Sequence, residues 1–195
     1  MRRVLLALVP TFLLLIDGCA DVFGQKDPHA PGDPVGRYQL SANVDAASSC
    51  AEAAAAAPRP WTFEVTLRKD GHTAFWITSD TPVVGTVDDK GALAFHASNR
   101  LQIRPADKAK ELGPCVVVRN DDFSGTLAGP PSTEAGVAAF TGTLKYSYAV
   151  EEGADCRDLV GPAGPDRKSP MFTTMPCDVH FAVAAKRVGD PKPSR

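Results

Sequence analysis

The chain has 195 residues, 44% of them apolar and 23% charged, with a net charge of −2 at pH 7. That is long enough for one domain with its own core. A near-neutral balance without a basic stripe argues against nucleic acid as a partner and against electrostatic docking on anionic lipid.

The N-terminus reads Met1-Arg2-Arg3, an apolar run over 4–16 broken by Pro10, then Asp17-Gly18-Cys19. Basic, apolar and small residues in that order mark a secretory signal peptide, 1–18. The run is shorter than the roughly 20 residues of a spanning helix. It is apolar on every face, unlike the striped helix of a globular core. Ile16-Asp17-Gly18-Cys19 resembles the lipobox of bacterial lipoproteins: a branched aliphatic, a tolerant position, a small residue and the cysteine that becomes the N-terminus. Asp17 stands where a small or apolar residue is usual. The resemblance covers the leader only and implies acylation of Cys19. Acyl chains, at about 0.8 kcal/mol per buried CH₂, would make the membrane a partner. The expected location is the bacterial cell envelope, at the outer membrane, on its periplasmic face or the cell surface.

Residues 19–35 are rich in Pro, Gly and Asp and read as the lipidated cysteine followed by a flexible tether. Period-two alternation begins in 38–44, with Tyr38, Leu40, Ala42 and Val44 on one face. The alanine-rich stretch 46–57 fits a short helix or a loop equally well. Trp61, Phe63, Val65 and Leu67 alternate with polar residues, and Asp70-Gly71 is a hairpin signal. Strands follow at 74–78 and 83–87. A long strand at 92–104 carries Leu93, Phe95, Ala97, Leu101 and Ile103 on one parity. The segments 115–119 and 122–127 read as a hairpin turning at Asn120-Asp121, and 140–150 as a further strand. A long proline-containing loop spans 151–176. The last strand carries Val179, Phe181, Val183 and Ala185, and 189–195 is a polar tail. The domain, 36–188, is therefore all-β: a single antiparallel β-barrel or β-sandwich of about nine strands. Gly36-Arg37-Tyr38 faintly resembles the Gly-x-Trp start of lipocalins, over one strand.

Four cysteines follow Cys19: Cys50, Cys115, Cys156 and Cys177. An even number in an exported chain, with no CxxC pair, predicts two disulfides rather than a metal site. Counting strand directions through nine strands puts Cys50 with Cys115 at one end and Cys156 with Cys177 at the other.

Chemistry is hard to find. His29, His72, His96 and His180 lack metal-ligand spacing and read as surface residues. There is no GxSxG elbow. Asp88-Asp89 and Asp121-Asp122 are placed in turns, where Asp is favoured for backbone reasons. Most aromatics are assigned inward, Phe75 among them; Trp76, of opposite parity, is the one large ring able to face out, and a strand buried on both faces explains it equally well. No catalytic, metal or cofactor residues are assigned. The reading is a lipid-anchored, disulfide-stapled envelope protein with a binding or structural role, its partner a protein or a small apolar ligand. The alternatives are a lipocalin-like carrier and, further off, an envelope hydrolase. An interior pocket of about 300 Å³ or more favours the carrier.

Overall fold

The computed structural model describes residues 28–45, 48–50, 61–79, 81–131, 136–162 and 170–190. The leader and Cys19 lie outside the described residues, as does most of the stretch 46–57.

Eight strands form one closed barrel in which every neighbour pair is antiparallel. They are β1 Asp33–Val44, β2 Trp61–Asp70, β3 Thr73–Ile77, β4 Val83–Val87, β5 Ala92–Arg104, β6 Cys115–Leu127, β7 Ala139–Val150 and β8 Cys177–Gly189. A short 3₁₀ turn, Lys108–Lys110, lies between β5 and β6. Strand order follows chain order, and β1 closes on β8 through the pairs Gln39 with Lys186 and Ser41 with Ala184.

The predicted hairpin at Asn120-Asp121 is not there. Residues 115–127 run as one strand, which is why there are eight strands and not nine. The reason is length matching. β5 spans 13 residues, and β6 pairs along it from Thr126 opposite Ala92 to Cys115 opposite Arg104. Breaking β6 at Asn120 would leave half of β5 without a partner. β1 begins at Asp33, inside the stretch read as tether, with a bulge between Pro34 and Gly36. Val35 is buried, and Arg68 donates to the carbonyls of Pro31 and Gly32. At the other end, Gly189 belongs to β8 rather than to the tail.

The barrel's two ends differ. At one end lie the tight turns after β2 and β4, and here Val35, Leu67, Ala74, Val87, Leu93 and Leu127 fill the interior. Tyr38 is fully buried and donates its hydroxyl to the Val137 carbonyl at 2.9 Å. At the other end lie all four domain cysteines. The expected inward set of Leu40, Val65, Leu93, Phe95, Phe123, Phe140, Leu144, Phe181 and Val183 is buried in one cluster, with Trp61 and Phe63 half-buried against it.

Continuity of β6 also changes the disulfides. With one strand fewer, β7 starts at the turn end and finishes at the cysteine end. The pairs are Cys50–Cys177 and Cys115–Cys156, not the Cys50–Cys115 and Cys156–Cys177 expected from nine strands. Each bridge ends a continued ladder. Ser49 N–H donates to the Asp178 carbonyl, which brings Cys50 beside Cys177. Asp155 N–H donates to the Pro114 carbonyl, which brings Cys156 beside Cys115.

Candidate functional site: an aromatic cavity at the cysteine end

The alternation that fills the turn end runs out of small side chains toward the cysteine end. There the inward positions are taken by rings that cannot all meet at the axis. A cavity of about 370 Å³ remains, lined by Trp61, Phe63, Trp76, Phe95, Phe123 and Tyr146 together with Thr78, Val83, Ala97, Arg119, Asp121 and Leu144.

Two clusters of rings face it. Trp61 lies 4.6 Å from Phe63 and 5.6 Å from Phe181, centroid to centroid. Trp76 lies 5.0 Å from Phe123 and 5.4 Å from Phe95. These are offset and edge contacts of the kind aromatic quadrupoles favour. The inward direction of Trp76 corrects the parity assigned to β3. Trp76 pairs with Leu67 across β2, and directly opposed residues of an antiparallel pair share a face. Leu67 points inward, so Trp76 does too, and Phe75 is carried to the outer wall beside Gly32. After Thr73 this five-residue strand is apolar throughout and gives no periodicity of its own, so the neighbour decides.

Strand glycines make room for two of the rings. A Cβ on Gly85 would sit 2.4 Å from the Phe95 ring, and one on Gly142 would sit 2.7 Å from the Phe123 ring. With hydrogen there instead, Phe95 and Phe123 lie down against the wall and leave the axis open.

Apart from Thr78, the polar lining of the cavity is concentrated at one place. Arg119 and Asp121 are two apart on β6 and both point inward, with side chains 27% and 19% exposed. Arg119 donates through Nε and Nη2 to the two carboxylate oxygens of Asp121, at 2.6 and 2.7 Å. Asn99 on β5 donates to the same carboxylate at 3.3 Å. The guanidinium carbon lies 4.6 Å from the Tyr146 ring centroid, in cation–π geometry. Burial raises the pKa of Tyr146, with Asp121 adding to the rise and Arg119 opposing it. Burial likewise raises Tyr148, which accepts a hydrogen bond from Arg119. Both phenols stay protonated at neutral pH.

Turn propensity at Asn120-Asp121 puts Asp121 in a turn and gives Arg119 no role. A signal existed: Val117, Arg119, Asp121, Phe123 and Leu127 share one parity through the supposed turn. The remaining candidates lie elsewhere. His96 and His180 are on the outer wall, His96 with Nδ1 at 2.6 Å from Asp122 Oδ1. His72 is in the β2–β3 turn. Asp88 organises the β4–β5 turn by accepting from the Lys90 and Ala92 amides. Among the described residues, no three His, Cys, Asp or Glu side chains converge as a metal site. No helix among the described residues is long and apolar enough to cross a membrane.

Compared with known proteins, the chain matches no family model, no curated protein and no solved structure.

Proposed function

We propose that this chain is an exported, lipid-anchored binding protein whose barrel carries a small, largely apolar ligand at its cysteine end. The observation that carries this reading is the cavity of about 370 Å³, walled by two tryptophans and three phenylalanines with a few polar groups, Arg119 and Asp121 foremost. A space of about 300–1,000 Å³, mostly apolar with a few convergent polar groups, is what small-molecule sites have in common. Rings half-exposed to an interior void forgo contact area that a filled barrel would gain, and a ligand restores it. Cys19 supplies the anchor in this reading, supported by the lipobox-like residues Ile16, Gly18 and Cys19.

Two measurements test the two halves. The neutral dye N-phenyl-1-naphthylamine should bind the purified protein saturably at one site with enhanced emission. Ala97→Trp, which projects a ring into the cavity, should weaken it at least tenfold. A linear, non-saturating response would overturn the carrier assignment. For the anchor, the full-length protein should fractionate with membranes and Cys19→Ser should be released or left uncut. An unmodified N-terminus away from Cys19 by mass spectrometry would exclude lipidation.

A further inference from the structure

The lining of the cavity restricts what it can hold more narrowly than size does. The ligand's chemical class, given the carrier reading above on which it rests, follows from charge, hydrogen bonding and shape.

Charge comes first. Arg119 and Asp121 neutralise each other inside the barrel through two short hydrogen bonds. Among the described residues, no other ionisable side chain lines the cavity except Tyr146, which remains neutral. A charged ligand would leave water without gaining an uncompensated counter-charge, and burying an unpaired charge is costly.

Hydrogen-bonding capacity comes second. Asp121 already accepts three bonds, two from Arg119 and one from Asn99. Arg119 donates twice to Asp121 and once to Tyr148, using three of the five N–H groups of a guanidinium. These contacts use neither of the other two N–H groups. The spare capacity of the cluster is thus on the donor side, and the ligand must bring an acceptor. Stacking on Tyr146 and the fork to Asp121 hold the guanidinium plane in place beforehand, which lowers the ordering cost of binding.

Shape comes third. Trp61 and Trp76 both line the cavity wall and are linked through Phe63, at 4.6 Å and 6.3 Å. Aromatic walls pack well against aromatic rings, and the volume, near the lower end for ligand sites, suits two or three fused rings rather than a long acyl chain.

We infer that the cavity takes an uncharged, planar aromatic molecule bearing a carbonyl-type acceptor, its rings against Trp61 and Trp76 and its acceptor on the free edge of Arg119. The chain's only two tryptophans both line the cavity, so intrinsic fluorescence reports its occupancy directly.

The experiment titrates the purified protein with five probes: naphthalene, 2-acetonaphthone, 2-naphthoate, 2-naphthylmethylammonium and dodecanoate. The expected order puts 2-acetonaphthone first. It should bind about tenfold or more tighter than naphthalene, the effect of one hydrogen bond to a charged donor. Arg119→Lys keeps the charge paired with Asp121 but removes the fork. It should cut the ratio of 2-acetonaphthone to naphthalene affinity, measured within the variant, to threefold or less. If Arg119→Lys does not fold, the order of the five probes on the natural protein decides alone. Tightest binding by naphthoate, by the ammonium compound or by dodecanoate would overturn the inference while leaving a carrier in place. Equal binding of naphthalene and 2-acetonaphthone would do the same. No tryptophan response to any of the five would overturn the carrier reading as well.

Discussion

Tyr38 shows how one buried side chain sets a pH limit. Its hydroxyl is satisfied by the Val137 carbonyl, and burial pushes its pKa up to about 12 against the lowering effects of Arg187 and that hydrogen bond. Tyr146 and Tyr148 are raised too, by burial first, and these are the chain's three tyrosines. In the unfolded chain they titrate near pH 10. Above that pH the unfolded state binds fewer protons than the folded state, so stability falls with rising pH. The contribution is intact below about pH 10 and is lost as pH rises toward about 12. Native tyrosinate absorbance should therefore rise at higher pH than that of a urea-unfolded sample, which ionises three tyrosines around pH 10. A native tyrosine ionising at pH 10 would mean that its ring is not inside the barrel.

At the scale of elements, the decisive feature is the pairing of β5 with β6. It carries Asp121 into the interior, puts Asp122 on the outer wall with His96, and sends β7 toward the cysteine end. The disulfides follow from that direction. Peptide mapping without reduction should yield Cys50–Cys177 and Cys115–Cys156 fragments, and a Cys50–Cys115 fragment would contradict the continuity of β6. The bridges close segments of 127 and 41 residues in sequence separation. In the chain-entropy picture they contribute about 5 and about 4 kcal/mol. Paired Cys→Ala variants in urea unfolding should accordingly lose more stability at Cys50/Cys177 than at Cys115/Cys156. The reverse order would show that native-state effects outweigh loop closure.

For the whole molecule, closure of the barrel removes both sheet edges, and the β1–β8 seam is where it can be opened. Ala184 in β8 pairs with Ser41 on one side and Thr141 on the other, and its side chain is exposed. Ala184→Pro thus changes the backbone without touching the core. It should cost about 3 kcal/mol or more and expose strand edges to self-association, measurable as a lowered Tm with light scattering above it. Ala184→Ser should stay within about 0.5 kcal/mol of the natural protein. An Ala184→Pro protein as stable and monomeric as the Ser variant would argue against a closed ladder at this seam.

Much of this architecture is legible in the residue order alone. The all-β class, the inward set on β1, β2, β5, β7 and β8, and the exact span of β5 follow from period-two alternation, because a half-buried strand must show one face to water. The involvement of four cysteines in disulfides follows from their number and spacing. What alternation cannot report is which strand lies opposite which. The inward turn of Trp76 comes from Leu67 across the β2–β3 pair. The persistence of β6 through Asn120-Asp121-Asp122 comes from the partner strand and from Arg119 and Asn99, which satisfy a carboxylate that local propensity would put in a turn. The cavity itself depends on how several rings from different strands share one cross-section, with Gly85 and Gly142 letting two of them lie flat. That is a property of side chains far apart in the chain, and only closing the barrel brings them to the same place.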